Sequence, residues 1–187
     1  MVPCSYTAMR GRGKAAMRKT MIIPTYWCRS SGKCWQEGDA VYDHPTSVDQ
    51  EGTLERTLVS MQQFQEKDFK LVILICPTTP DVEDAAYEQV YRIVKRVKLR
   101  AETYLFTAGD LAAISRILKG AGLGDRGAAL LSMFGYSNVR NMCLLAATIL
   151  TADAALLIDD DEVFELPDFV PRSLEFLGRR VYGDVVH

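Results

Sequence analysis

The sequence predicts an α/β domain in which a mostly parallel sheet carries helices on both faces. Short runs of β-branched and other apolar residues alternate along the chain with segments whose apolar residues recur at helical spacing. This alternation is typical of parallel strands joined by crossover helices. The length of 187 residues and the hydrophobic content of 48% suit one domain with a substantial core.

The first predicted strand covers residues 20–26 and runs into a loop. Residues 28–51 are rich in Gly, Ser, Pro and Asp without a clear period, which predicts a long loop of the functional or mobile kind. Residues 52–65 predict a helix, because four large apolar side chains recur at helical spacing. Thr53 is the expected N-terminal cap of this helix.

The centre of the chain predicts a strand, a helix and a second strand. Residues 69–76 form a continuous apolar run, which predicts a strand buried on both faces and ended by Pro77 and Pro80. Residues 81–97 predict a helix with acidic residues at its start and basic residues at its end, the polarity that the helix dipole favours. A short strand over residues 102–107 follows.

The next segment predicts two helices separated by a flexible connection. The helices cover residues 110–119 and 137–151, and Ser137 or Asn138 is expected to cap the second one. The glycine-rich residues 120–127 between them do not lead from a strand into a helix, so they do not match a dinucleotide-binding loop. Strands in this order give a Rossmann-like sheet, in which ligands bind at the carboxyl ends of the strands.

The amino-terminal residues differ in charge from the rest of the chain. The first 20 residues carry five basic and no acidic side chains, so the net charge of −2 leaves −7 for the remainder. We expect residues 1–18 to be a disordered basic tail and residues 19–187 to be the domain, whose acidity argues against a nucleic-acid partner. An over-extended start, an organellar transit peptide or an arm for anionic surfaces are the alternatives for the tail.

Cysteine usage and hydropathy indicate a cytoplasmic protein. Five scattered cysteines without a CxxC pair, and only two histidines, argue against structural zinc and favour reduced thiols, Cys28 and Cys34 included. The most apolar stretch is too short to span a membrane comfortably, so no transmembrane segment is predicted. The basic amino terminus is compatible with peripheral contact with a membrane.

The most informative feature is an apolar strand that runs into three carboxylates. Residues 154–158 are predicted to form a buried strand, and Asp159, Asp160 and Asp161 follow it directly. Clustered carboxylates repel one another and stay ionised only beside a cation. Mg²⁺ and Mn²⁺ prefer such oxygen ligands and usually bring a phosphate group with them. The alternating spacing of Asp159 and Asp161 suits two ligands of one metal, and a solvated turn is the alternative.

Three segments in this order resemble the nucleotide-sugar-binding half of a GT-A-fold glycosyltransferase of the family-2 type. They are a Pro24-Thr25-Tyr26 turn after the first strand, Arg140-Asn141 in a helix, and the three aspartates about 20 residues later. The resemblance covers residues 19–170. It implies transfer of a sugar from a nucleotide-sugar donor, such as a UDP- or GDP-sugar, to an unknown acceptor.

The resemblance also implies roles for individual residues. Asp161 corresponds to the last carboxylate of the family's DxD motif, which binds Mn²⁺ or Mg²⁺ on the donor diphosphate, and Asp159 and Asp160 would lie beside it against ribose, metal or sugar. In the donor site, Pro24, Thr25 and Tyr26 would line the nucleoside pocket and Arg140 would face it. His44, in the loop after the first strand, is a further candidate for contact with phosphate or acceptor.

Two departures from the family pattern limit the resemblance. The position where the family commonly has a base-reading aspartate is Cys76-Pro77-Thr78-Thr79, which leaves Thr78 or Asp81 as substitutes. Only 26 residues follow Asp161, so the resemblance implies that the acceptor-binding half is missing. Glu162, Glu165 and Asp168 follow the acidic cluster, but none is singled out as a catalytic base.

Two alternatives to a glycosyltransferase remain at this point. The run from Asp159 to Val163 also fits the DxDxV pattern of haloacid-dehalogenase-type phosphotransferases, in which the first aspartate is the nucleophile, although that motif normally opens the domain. The second alternative is a non-catalytic nucleotide- or metal-binding fragment or subunit that a partner completes.

Overall fold

The computed structural model describes residues 17–31, 35–178, 180–181 and 184–185 of the chain. Its elements, in chain order, are β1 (Lys19–Cys28), β2 (Thr46–Ser47), α1 (Leu54–Ser60), β3 (Lys70–Pro77), α2 (Glu83–Val97), β4 (Glu102–Phe106), α3 (Ala108–Gly120), α4 (Asp125–Ala128), α5 (Tyr136–Ile149), β5 (Ala154–Leu157), α6 (Phe169–Ser173), β6 (Arg180–Val181) and β7 (Asp184–Val185). Short 3₁₀ helices, Met61–Gln63 and Pro80–Val82, adjoin α1 and α2.

Five parallel strands form the main sheet, in the order β4, β3, β1 and then β5 and β2 together. The last two lie on the same side of β1, because β3 occupies its other side. β5 pairs with residues 19–22 of β1, and β2 pairs with residues 27–28. The predicted α/β class with a mostly parallel, Rossmann-like sheet is confirmed.

Helices cover both faces of the sheet, as predicted. Side chains of α1 and α2, including Leu58 and Val90, pack with one set of residues from β1 and β3. Side chains of α3 and α5, including Leu111 and Met142, pack with the alternate set. The prediction that β3 is buried on both faces is confirmed, since every residue after Lys70 in that strand is buried.

The end of β1 differs from the prediction. β1 continues to Cys28, and its register with β3 runs without a break to Trp27, so Pro24, Thr25 and Tyr26 lie inside a strand and not in a turn. Pro24 is tolerated there because β5 ends at the level of Ile22, and no ladder partner among the described residues on that side needs the missing N–H group.

The last strand is less buried than its sequence predicts. β5 lies against β1 alone among the described residues, and Leu157 is 38% exposed. The preceding helix α5 is also not fully buried, because Leu144 and Ile149 point outwards. A run of apolar residues does not distinguish an edge strand from a central one, and this ambiguity explains the wrong prediction.

Two predicted helix caps are wrong. Thr53 occupies the position before α1 but its side chain makes no capping hydrogen bond. α5 begins at Tyr136, and the residue before it is Gly135 with a φ of 85°, so Ser137 and Asn138 lie within the first turn. Asn138 instead donates to the carbonyl oxygen of Phe134.

Several elements were not predicted from the sequence. They are β2 inside the long loop, α4 inside the glycine-rich connection, and α6 and the antiparallel pair β6–β7 after the aspartates. The segment after the aspartates contributes to the core, because Phe164 and Phe169 pack on Phe64 at ring-centroid distances of 4.9 and 5.6 Å.

The predicted tail lies largely outside the described residues, since residues 1–16, Cys4 and Cys34 are not part of them. Arg18 is held in place by Asp153, whose carboxylate accepts hydrogen bonds from its backbone N–H and its guanidinium. None of the described helices has the length and apolar character needed to cross a membrane.

Candidate functional site

Asp160 is the most constrained residue of the acidic cluster. Its carboxylate accepts a 2.6 Å hydrogen bond from the Thr25 hydroxyl, and its backbone carbonyl accepts a 2.7 Å hydrogen bond from the Thr57 hydroxyl. The pKa of Asp160 is raised to about 6, chiefly by burial and in addition by the charges of Asp161 and Asp159, although hydrogen bonds from Thr25 and the Tyr26 backbone N–H act to lower it.

The backbone of β1 explains why the chain turns inward at Asp160. The Ile158 N–H donates to the Ile22 carbonyl, which makes this the last ladder bond of β5. The backbone N–H and C=O groups of every second residue of β1 point to the β5 side. After Ile22, the next such residues are Pro24, which has no N–H group, and Tyr26. The Asp160 carboxylate accepts a hydrogen bond from the Tyr26 N–H and thereby replaces the acceptor that a neighbouring strand would provide.

Asp159 forms an ion pair with the helix α5. Its Oδ1 accepts a 2.7 Å hydrogen bond from Nη2 of Arg140, and both side chains are about half exposed. Asp161 is exposed, and its carboxylate lies on the same pocket as Asp159 and Arg140.

These residues line a pocket of about 200 Å³ at the carboxyl edge of β1. Its walls are Tyr26, Asp43, His44, Thr53, Tyr136, Arg140, Asp159, Asp160 and Asp161. Four aspartates line the pocket together with one arginine, and His44 is the remaining ionisable residue apart from the two tyrosines. The resulting excess of negative charge favours a cation in the pocket.

Three tyrosines connect the long loop to this pocket. The rings of Tyr26, Tyr42 and Tyr136 lie 4.5–5.5 Å apart in pairs. The Tyr42 hydroxyl donates to the Met133 carbonyl and accepts from the Gly135 N–H, and the Tyr136 hydroxyl accepts a 2.7 Å hydrogen bond from the Asp43 N–H. Burial raises the pKa of both Tyr26 and Tyr42. The cluster fixes the loop that carries His44.

The donor set suits a hard divalent cation that brings its own oxygen ligands. Within the described parts of the chain, no three His, Cys, Asp or Glu side chains converge as a preformed metal cage. Mg²⁺ is commonly bound by one or two carboxylates together with substrate phosphates and water. Asp159 and Asp161 fit that arrangement, because both line the same pocket and both are accessible. Asp160 does not fit it, because its carboxylate is turned towards β1.

A second pocket of about 420 Å³ adjoins the first and shares Asp159 with it. Glu162 and Glu165 line this second pocket together with apolar side chains, whereas Asp168 does not. Asp168 instead lies 3.9 Å from Arg172. Of the three acidic residues after the cluster, Glu162 and Glu165 therefore line this pocket and Asp168 does not.

The residues considered as substitutes for a base-reading aspartate lie after β3. Asp81 pairs with Arg29 at 3.1 Å and accepts a 2.6 Å hydrogen bond from the Thr79 hydroxyl. Those contacts lower the pKa of Asp81, with the Thr79 hydrogen bond as the largest cause. The Thr78 hydroxyl is buried and has no hydrogen-bond partner among the described residues.

The structure brings most of the sequence-predicted site residues together. Tyr26, Arg140 and the three aspartates line one pocket. Thr25 does not line it, but its fully buried side chain donates a hydrogen bond to Asp160. Pro24 shapes the strand but does not line the pocket. Tyr136 was not identified from the sequence. It lies one helical turn before Arg140, and this i to i+4 spacing, which places the two side chains on the same face of α5, is the signal that could have identified it.

The fold and the pocket define a parallel α/β domain with an acidic site at the carboxyl edge of its sheet. Searches against protein-family models, curated proteins and solved structures find no match to this chain. The strand order and the flanking helices therefore define the fold of the chain, and the comparisons show no family for it.

Proposed function

We propose that this domain binds the diphosphate of a nucleotide sugar through Mg²⁺ or Mn²⁺ and serves as the donor-binding part of a GT-A-type glycosyltransferase. The observation that carries this proposal is the convergence of Tyr26, Arg140 and the aspartates, from three distant parts of the chain, on one acidic pocket. That pocket lies at the carboxyl edge of a parallel sheet, where ligands of such sheets bind.

Asp159 and Asp161 would hold the cation, and Arg140 would contact the diphosphate. A bound divalent cation supplies Lewis-acid stabilisation of the negative charge on a leaving diphosphate. A pocket of about 200 Å³ accommodates a cation and a phosphate group but not a whole nucleotide sugar. The nucleoside would extend towards the ends of β1 and β3, where the buried Thr78 hydroxyl has no hydrogen-bond partner in the described part of the chain.

The adjoining pocket supports an acceptor next to the donor. It shares Asp159 with the cation pocket and carries Glu162 and Glu165, so an acceptor hydroxyl bound there would lie within reach of a carboxylate. We assign the catalytic base to neither residue.

Donor binding tests the proposal directly. Calorimetry with UDP- and GDP-sugars should show binding that requires Mn²⁺ or Mg²⁺, and Asp161→Ala should abolish it. Asp168→Ala is the matched control, because this nearby carboxylate lies outside both pockets. Metal-independent binding, or no binding of any nucleotide tried, would refute the proposal.

The same protein separates the two alternatives. Donor binding without transfer to any acceptor tried would indicate a non-catalytic binding subunit. Incorporation of phosphate at Asp159 from a phosphate ester would instead support a haloacid-dehalogenase-type phosphotransferase, in which a phospho-aspartate forms on the first aspartate of the motif.

A further inference from the structure

The edge strand β4 is open on the side away from β3. Among the described residues it pairs with β3 alone, so the backbone groups on its outer side are available to another strand. Exposed sheet edges bind a further strand in many complexes, with specificity from pockets for the alternating side chains.

A groove flanks β4 on each face of the sheet. On one face a cavity of about 270 Å³ lies between Tyr104 and Phe106 and the helices α3 and α5. On the other face a larger cavity, about 650 Å³, lies between Thr103 and Leu105 and the side chains of Tyr87 and Tyr91 on α2. The edge therefore offers backbone groups in its middle and side-chain pockets above and below.

The α2 surface beside this edge carries a stripe of unlike charges. Asp84, Glu88, Tyr91 and Lys95 recur at intervals of three or four residues, which places them along one side of the helix, and Lys98 follows directly after its last residue with a φ of 51°. The acidic pair lies at one end of the stripe, the basic pair lies at the other end, and all five side chains are exposed.

These charges differ from those elsewhere on the same helix. Arg96 is paired with Glu51 and Glu55 of the same chain. Asp84, Glu88, Lys95 and Lys98, by contrast, form no ion pair within the part of the chain that the structure describes. The stripe thus has unpaired charges of both signs next to exposed aromatic surface.

We propose that β4 and the α2 stripe form a two-fold interface with a second copy of this chain. Antiparallel pairing of β4 with its copy about Tyr104 would place Thr103 opposite Leu105 and extend the sheet across the dimer. The same two-fold axis turns α2 against its copy in the antiparallel direction, so Asp84 of one chain faces Lys98 of the other. Such self-complementarity is what an isologous interface requires.

This proposal does not depend on the proposed function, because β4 and the acidic pocket lie at different edges of the sheet. In the dimer the stacked rings of Tyr87 and Tyr91, whose centroids are 6.1 Å apart, would be covered by the second copy. Aromatic side chains near the centre of an interface contribute strongly to its stability.

Sedimentation equilibrium of the full chain tests the interface by charge reversal. The wild-type protein should be dimeric at micromolar concentration. Asp84→Lys and Lys98→Asp should each weaken the dimer about tenfold, because each variant replaces two attractive pairs with two repulsive ones. The double variant should restore dimerisation, since it exchanges the signs and keeps the pairs. Glu175→Lys, an equally exposed acid after β5, is the control and should leave the dimer unchanged.

A second variant tests the strand. Leu105→Lys should dissociate the dimer by placing a charge in the middle of the edge, and circular dichroism shows whether the variant remains folded. A monomeric wild type at hundred-micromolar concentration overturns the proposal. A dimer that tolerates Leu105→Lys, or a double charge variant that remains as weak as the single variants, overturns it too.

Discussion

The Thr25 hydroxyl donates a 2.6 Å hydrogen bond to the carboxylate of Asp160, 135 residues away in the sequence. This contact joins the central strand β1 to the acidic segment and keeps one of three adjacent carboxylates turned towards the sheet. Asp160 still lines the pocket, but Asp159 and Asp161 are the two aspartates there whose side chains are exposed.

Removal of the Thr25 hydroxyl should destabilise the protein. Thr25→Val leaves a largely buried carboxylate with one donor fewer, and hydrogen bonds to charged groups contribute about 1.5–3 kcal/mol. Denaturant unfolding at neutral pH measures the loss. Thr25→Ser keeps the hydroxyl and is the matched control, so equal losses in the two variants would contradict a role for the hydrogen bond.

Stability should fall as the pH rises through the pKa of Asp160. The folded-state value of about 6 lies above the ordinary value of 3.8, so the folded protein binds the proton more tightly than the unfolded chain does. The stabilisation from this group is fully present below pH 3.8 and is lost as the pH approaches and passes about 6. A shift of this size corresponds to a change on the order of 2–3 kcal/mol.

The variant Asp160→Asn isolates this effect. Asparagine does not titrate, so the difference in the free energy of unfolding between variant and wild type should move in favour of the variant between mildly acidic and neutral pH. Denaturant melts over that pH range provide the measurement. A pH-independent difference would show that Asp160 ionises as an ordinary exposed carboxylate.

Arg140 should matter for ligand binding more than for stability. Its ion pair with Asp159 is about half exposed on both sides, and such pairs contribute only about 0–1 kcal/mol. Arg140→Ala should therefore change the free energy of unfolding little while weakening nucleotide-sugar binding at least tenfold, because a charge-assisted bond to phosphate is lost. Arg172→Ala, which removes a pair of similar exposure with Asp168, should change neither quantity much.

The sequence predicts well what depends on local pattern. The run that forms β3 is apolar throughout because both of its faces are covered, and the acid-to-base gradient of α2 marks both ends of that helix. The sequence also predicts that Tyr26 and the aspartates lie at one edge, because parallel strands bring their carboxyl ends together, whereas the position of Arg140 is implied only by the family resemblance.

What the sequence does not predict depends on contacts between distant segments. The inward turn of Asp160 follows from the point at which β5 leaves β1, and no local pattern records that point. Thr53 has the right side chain for a cap, yet it lines the pocket without capping α1. The phenylalanines after the aspartates pack on Phe64, about 100 positions earlier, and apolar spacing alone does not reveal this.

Gly52 should be the glycine least tolerant of substitution among those with positive φ. Its φ is +68°, and an added Cβ would lie 2.6 Å from Cγ2 of Thr46 in β2. Gly52→Ala therefore combines a backbone cost of about 1–2 kcal/mol with a steric clash, so it should lower the free energy of unfolding by more than the backbone cost alone.

Gly38→Ala separates the two contributions, because Gly38 has a φ of +95° and open space around it. Adding Thr46→Ala to the Gly52→Ala variant removes the nearest atoms and should recover part of the loss. If Gly52→Ala and Gly38→Ala cost the same in denaturant unfolding, the close approach of Gly52 to Thr46 does not constrain this loop.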